Sequence, residues 1–209
     1  MSPAAKSEPA ETPPPTNAVR TGTRVFLRGP VTSDAEELIA LRRRSMRRLR
    51  PWDPKPAKGA TAWGPDWVKR LLDARGSQTH CKLLLCRLED RVIVGGVSLN
   101  EIVRGAFHNA FAGWWIGDPF EGNGYMSEGL GLLVEHGFLS LRLHRIEANI
   151  RPENERSKAL ALRVGFRLEG YSPRYLQIAG RWADHERYAI IVEEWRSRRR
   201  AIRKGNAKR

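Results

Sequence analysis

Phe120–Leu141 (FEGNGYMSEGLGLLVEHGFLSL) has the residue types and spacing to hold a phosphate. Gly122 and Gly124 permit a tight turn with no Cβ between the backbone and a ligand. Apolar residues then recur at Met126, Leu130, Leu133, Gly137 and Leu141, which is one face of a helix. The first-turn N–H groups of a helix have no intrahelical partner, and with the helix dipole they form an anion site. Phe111–Ile116 (FAGWWI), followed by Pro119, reads as a buried strand leading into the turn. Strand, glycine turn and helix together predict a bound phosphate or pyrophosphate. The segment lacks the Gly-Lys-Ser/Thr of a P-loop, and Gly122, Gly124 and Gly129 miss the G-x-G-x-x-G spacing of a dinucleotide site.

This pattern resembles the acyl-CoA turn of the GNAT N-acetyltransferases, and one branch fits closely: the Rim-type ribosomal-protein alanine N-acetyltransferases. The matching stretches are Leu49–Trp52 (LRPW), Asn100–His108 (NEIVRGAFH), Gly122–Tyr125, Leu143–Ile150 (LHRIEANI), Pro152–Ser157 (PENERS), Gly165–Tyr171 (GFRLEGY) and Tyr175–His185 (YLQIAGRWADH). They cover most of Arg24–Ile191 in the family's order. The resemblance implies an α+β GNAT fold, with a central mixed, mostly antiparallel sheet flanked by helices. Acyl-CoA would lie at a splay between the two central strands.

What the resemblance implies for single residues can be stated by number. Trp115, Ile116, Gly122, Asn123, Gly124, Tyr125, Met126, Ser127, Asn154, Ser157 and Lys158 would hold the donor, acetyl-CoA, without a metal. Many family members protonate the departing thiolate with a Tyr, but the corresponding position here is Ala161. The Rim-type alternative places Asn154 on the CoA arm and the Ser157 hydroxyl near the sulfur; Ser157 is also a natural third residue of a helix capped by Asn154. Backbone N–H groups of Gly113–Ile116 would hold the oxyanion. Trp52, Asp53, Asn100, Glu101, His108 and Tyr175 would surround the acceptor, within Pro51–Asp53, Asn100–His108 and Tyr175–Trp182. Two positions depart from the family turn: Glu121 stands where Arg or Gln is usual, and Met126 where Gly or Ala is usual. Glu121 is expected to point away from the phosphates, which it would otherwise repel.

The acceptor's own pKa limits the base that is needed. An α-amine titrates at ~7.8 and a lysine at ~10.4, so at about pH 7.5 roughly a third of the former and only ~0.1% of the latter is unprotonated. An α-amine therefore needs little more than a weak base or a water path. Glu101 and Glu147 are the carboxylates near the expected splay, and either could serve through water; Glu101 is the catalytic choice. A salt bridge with Arg104 or Arg145 is the competing role for these carboxylates. Asp53 or Glu101 could meet the charged amine first.

Composition sets the frame. The chain has 209 residues, 41% hydrophobic, enough for one domain with a proper core. No apolar run approaches the ~20 residues of a membrane span, and no apolar signal core is visible at the N-terminus. Cys81 and Cys86 lie five apart in one strand-like stretch, on opposite faces, and should not bridge. A reduced, cytoplasmic setting is expected. The cysteines and five histidines form no metal-ligand spacing. The net charge of +14 is partly concentrated in Arg196–Arg209, which has eight basic residues and no acidic one, a composition that attracts polyanions such as RNA. Arg42–Arg50 (RRRSMRRLR) reads as the solvent face of a helix with Leu38, Leu41 and Leu49 inward.

The elements expected to position these groups follow in order. Residues 1–19 read as a disordered tail, 20–194 as the catalytic domain, and 195–209 as a disordered basic tail. Arg24–Arg28 is a short strand, Ala35–Leu49 a helix ended by Pro51, and Trp52–Gly64 a loop pinned by tryptophans. A helix opens at Pro65-Asp66 and runs to about Ala74. His80–Leu88 and Arg91–Leu99 form a hairpin, with Gly95-Gly96 as a bulge or close approach. His144–Ile150 is a strand, Asn154 caps a helix ended by Gly165, and strands Phe166–Glu169, Tyr175–Ile178 and His185–Val192 complete the domain.

The resulting expectation is acetyl transfer to the N-terminal amine of a protein, a ribosomal protein starting with Ala or another small residue. Acylation of a lysine or small-molecule amine, including a succinyl donor, is the alternative within the same chemistry. An RNA or ribosome-assembly binding module with weak catalysis is the alternative outside it. Monomer and dimer are both open.

Overall fold

The computed structural model describes residues 15–54 and 63–206. Its strands are β1 (Ala18–Thr21), β2 (Val25–Arg28), β3 (Cys81–Arg87), β4 (Ile93–Val103), β5 (Asn109–Ile116), β6 (Arg145–Ile150), β7 (Arg167–Ile178) and β8 (Arg181–Ile191). They form one sheet in the order β1-β2-β3-β4-β5-β6-β8-β7. Every junction is antiparallel except β5–β6, which is parallel. The helices are α1 (Ala35–Arg44), α2 (Met46–Leu49), α3 (Pro65–Asp73), α4 (Tyr125–Leu139), α5 (Glu155–Val164) and α6 (Val192–Asn206).

Alternation along β3 divides the core. Leu83 and Leu85 join Leu130, Leu133 and Val134 of α4 on one face. Leu84 and Cys86 join Leu38 and Leu41 of α1 and Leu71 of α3 on the other. Both faces are covered, which is why Leu83–Cys86 reads as an unbroken apolar run. Two glycines of α4 let it settle on the sheet. A Cβ at Gly129 would stand 2.6 Å from Leu85, and one at Gly137 2.7 Å from Ile146. Cys81 and Cys86 are free thiols. Burial pushes the Cys81 thiol up to about 11 and that of Cys86 up to about 12.

The junction between β5 and β6 creates the site. They pair only from Asn109 to Phe111, against Arg145 to Glu147. Beyond Phe111 the strands separate, while β5 stays paired with β4 as far as Ile116. Gly117 N donates to Val94 O at 2.8 Å, which sets the phase of that ladder. Odd-numbered residues of β5 bond to β4, so Ala112, Trp114 and Ile116 turn their backbone polar groups toward the gap.

Several sequence expectations need correction. The expected helix Ala35–Leu49 breaks at Ser45, whose Oγ donates to Leu41 O at 2.8 Å and accepts from Asp118 N at 2.8 Å. Arg42 is not on the solvent face but fully buried. The N-terminal boundary at residue 20 falls inside β1, which pairs with β2 from Ala18 onward; residues 1–14 lie outside the described residues. Nor is the segment after residue 195 irregular: α6 runs to Asn206. Trp195 packs on Phe138, Arg198 donates to Arg163 O at 2.7 Å and Arg199 to Glu135 at 2.7 Å. The two short strands expected between residues 166 and 178 are one twelve-residue β7, accommodated by register shifts at Leu168/Gly170 and Ser172/Leu176. Part of the expected Trp52–Gly64 loop, residues 55–62, lies outside the described residues. Among the described residues no helix is long and apolar enough to cross a membrane.

Candidate active site

Two adjoining cavities meet where β5 leaves β6. The first, about 1240 Å³, is lined by Gly122, Gly124, Tyr125, Met126 and Ser127 of the glycine turn, by Ile116, and by Asn154 and Ser157 across the cleft. The second, about 620 Å³, lies along β3, β4 and β5 beside Arg42 and Leu71 and is lined by Asn100, Glu101, Phe111, Gly113 and Tyr175 among others. Trp52, Asp53, Trp114 and Trp115 line both.

The glycine turn is built for an anion. Gly122 (φ +78°) and Gly124 (φ +77°) are both left-handed, a conformation that favours glycine. The amides of Gly122 through Met126 donate to no protein acceptor among the described residues. Ser127 N is spent on Gly124 O at 3.1 Å, so the cradle is one amide shorter than the sequence suggests. Met126 is a core side chain, and the absent side chain of Gly95 gives its Cε room.

Glu121 does not point away from the cleft. It lies on the wall, paired with Arg156 at 2.6 Å and with Arg48. Arg48 also donates to Ile116 O at 3.1 Å and pairs with Asp118 at 2.8 Å. Arg47 and Arg163 line the same cleft, as do the carboxylates Asp118, Glu153 and Glu155.

At the α5 end, Asn154 Oδ1 accepts from Ser157 N at 3.1 Å, an N-cap that frees the Ser157 hydroxyl for the cavity. Asn123 and Lys158 line neither cavity. Asn123 Nδ2 donates to Glu121 O at 3.2 Å, and Lys158 pairs with Glu155 at 2.8 Å and Glu186 at 3.4 Å.

The second cavity owes its space to small residues. Gly96, Ser98 and Gly113 stand on neighbouring positions of β4 and β5. A Cβ at Gly113 would lie 3.0 Å from Ser98 Oγ, and one at Gly96 2.5 Å from the indole nitrogen of Trp115. Asn100 Nδ2 donates to Ser98 Oγ at 3.0 Å. Glu101 is exposed, with φ +49°, where the β4–β5 register slips between Asn100 and Val103; a bulge of this kind re-aims a side chain. Tyr175 stands edge-on to His185 at 6.0 Å.

Not every residue expected here arrives. His108 lines neither cavity; its ring nitrogen lies 3.3 Å from Arg142 O. Glu147 is buried and paired with Arg145 at 2.8 Å. Trp182 is 63% exposed and lines neither cavity.

Asp53 is held from beneath by Arg42 at 2.8 Å. The guanidinium carbon of Arg42 lies 3.4 Å from the ring centre of Trp63 and 4.6 Å from that of Trp115. Burial raises the Asp53 pKa, and the attraction of Arg42 opposes it. Sequence reasoning missed Arg42, Trp63 and Trp67 because a basic run beside a proline-rich loop carries no sign of burial.

This arrangement coincides with a family match. An acetyltransferase (GNAT) domain matches residues 24–167. The chain belongs to the GNAT acetyltransferase family. It is similar to the [ribosomal protein uS5]-alanine N-acetyltransferase of Escherichia coli (strain K12), 33% identical over 152 residues, 70% of this chain and 77% of that protein. Among solved structures, Mycobacterium smegmatis RimJ in complex with CoA-disulfide superposes with a TM-score of 0.74 at 31% identity, over 81% of this chain and 83% of that one. The ribosomal-protein-S5-alanine acetyltransferase from Vibrio fischeri gives 0.73 at 29%, over 82% and 94%.

The chain is thus an acyl-CoA-dependent N-acetyltransferase with the GNAT sheet and its split. The turn fits the pyrophosphate of a CoA donor: it offers unspent amides, two left-handed glycines and flanking arginines. Among the described residues no group of three His, Cys, Asp or Glu could hold a metal.

Proposed function

We propose that this GNAT enzyme transfers acetyl from acetyl-CoA to the N-terminal α-amine of a protein, a ribosomal protein beginning with Ala or another small residue. The observation that carries the reading is the meeting of the two cavities at Trp52, Asp53, Trp114 and Trp115, with Asp53 and Glu101 as the carboxylates on the acceptor side. Glu101 makes no ion pair among the described residues and suits water-mediated deprotonation of an amine that is already partly neutral. The relatives named for acetylating ribosomal-protein alanines support the choice of acceptor.

The chemistry is direct. The neutral amine attacks the thioester carbonyl, whose developing oxyanion meets the Trp114 N–H on the open side of β5. The C–S bond then breaks, and the Ser157 hydroxyl gives its proton to the thiolate and regains one from solvent. The amine's surplus proton leaves through water to Glu101. Tandem mass spectrometry of an Ala-starting peptide after turnover tests this reading. Acetyl on residue 1 supports it, and acetyl on an internal lysine overturns it.

The exposed arginines Arg196, Arg200 and Arg203 of α6 favour an additional contact with a polyanion such as ribosomal RNA. Replacing all three with Glu should flatten the salt dependence of RNA binding without touching Trp195, Arg198 or Arg199; an unchanged slope would place any RNA contact elsewhere.

A further inference from the structure

The acceptor cavity contains a cation that the reaction does not use. Lys82 of β3 lines it, and its cross-strand partner is Ser98, whose own partner on β5 is Gly113. Because Ser98 and Gly113 are small, nothing on that rung stands between Lys82 and the strand that borders the acetyl site. Lys82 shares its face of β3 with Leu84, and Leu71 and Trp67 line the same cavity. It makes no ion pair among the described residues, and it is half-buried. Its ammonium pKa is lowered, first by burial and then by the like charge of Arg70. Such a group gains from any anion brought to it.

The cavity is therefore bipolar. Glu101, with Asp53 paired to Arg42 beside it, forms an acidic side facing the amine, and Lys82 is a basic point on the floor without an ion pair among the described residues. Lys82 lies two strand spacings from β5, about 10 Å. An extended chain advances ~3.3–3.6 Å per residue, so the side chains that reach Lys82 belong to the second or third residue of an acceptor whose amine sits at β5. We propose that Lys82 is a carboxylate-binding subsite, selecting acceptor N-termini with Asp or Glu at the second or third residue. This rests on the reading of the cavity as the site of a protein N-terminus.

The test is a set of Ala-starting peptides that differ only at residues 2 and 3, carrying acidic, neutral or basic side chains, with kcat/KM measured for the wild type, Lys82→Gln and Lys82→Glu. The wild type should favour the acidic peptides about tenfold or more, chiefly through KM, as expected for a charge-assisted hydrogen bond. Lys82→Gln should lose the preference, and Lys82→Glu should turn it toward the basic peptides. Acetyl-CoA affinity should be unchanged in both, because Lys82 does not line the donor cleft. Equal wild-type rates on all peptides, or an acidic preference that survives Lys82→Glu, would overturn the subsite alone. Failure to acetylate any free α-amine would overturn the acceptor reading and the subsite with it.

Discussion

Arg42 donates to Asp53 at 2.8 Å from a position where 1% of its side chain is exposed, against 21% for Asp53. For both groups burial outweighs the partner's attraction: the Arg42 pKa falls and that of Asp53 rises. The pair is thus costly to bury, and its effect is to fix a carboxylate where the two cavities meet. Arg42→Met should destabilise the protein by about 3 kcal/mol or more by leaving Asp53 uncompensated. The double replacement Arg42→Met/Asp53→Leu should restore most of that stability without restoring turnover. Urea unfolding of the cycle, beside kcat/KM, checks both. Additive losses in stability would contradict the account.

Asn154 and Ser157 separate structure from chemistry. Asn154 holds the backbone of Ser157 at 3.1 Å, while the Ser157 hydroxyl bonds to nothing among the described residues. Asn154→Ala should therefore cost about 1 kcal/mol as a lost N-cap, together with activity. Ser157→Ala should lower kcat by about 10²-fold with an unchanged melting temperature.

Two glycines should distinguish the substrates. Gly113→Val would fill the floor beside Ser98 and Asn100. It should raise the peptide KM severalfold while leaving acetyl-CoA affinity intact. Gly124→Ala puts a Cβ on a left-handed residue, 3.0 Å from the Arg24 guanidinium. It should cost about 1–2 kcal/mol of stability and weaken acetyl-CoA. Isothermal titration with each substrate distinguishes the two patterns.

The acid side of the stability profile should depend on Glu169, which accepts from Arg145 at 3.1 Å and pairs with Arg167 at 2.6 Å. The Arg145 hydrogen bond, foremost, holds its carboxyl below the ordinary 4.5. A depressed carboxylate stabilises the fold fully above the unfolded value and loses that contribution as pH falls through the folded value. Glu169→Gln should thus lower the melting temperature at pH 7, and the gap to wild type should narrow as the pH falls below 4.5 toward about 3. A gap of equal size at both ends of that range would rule this out.

Much of this was legible in the chain. The Gly122–Gly124 turn, the Asn154 cap and the Gly165 stop are local, each fixed by a backbone conformation its residue favours, so spacing alone revealed them. The β5–β6 split followed from the family resemblance rather than from any local pattern. What stayed hidden is tertiary. Arg42 reads as one more charge in RRRSMRRLR until Trp63, Trp67 and Trp115 close over it. Glu121 looks repulsive until Arg48 and Arg156, from two distant helices, converge on it. Helix α6 looks like a free basic tail until Trp195 meets Phe138. In each case the deciding partner is remote in sequence, beyond the reach of periodicity or capping rules.

The most direct test of the central claim is thiol release from acetyl-CoA with two acceptors: an Ala-starting peptide with a free α-amine, and the same peptide N-terminally blocked but carrying a lysine. Turnover on the free α-amine alone, much reduced by Ser157→Ala, is the predicted result. Equal or faster turnover on the blocked peptide would contradict the account and move the acceptor to a side-chain amine.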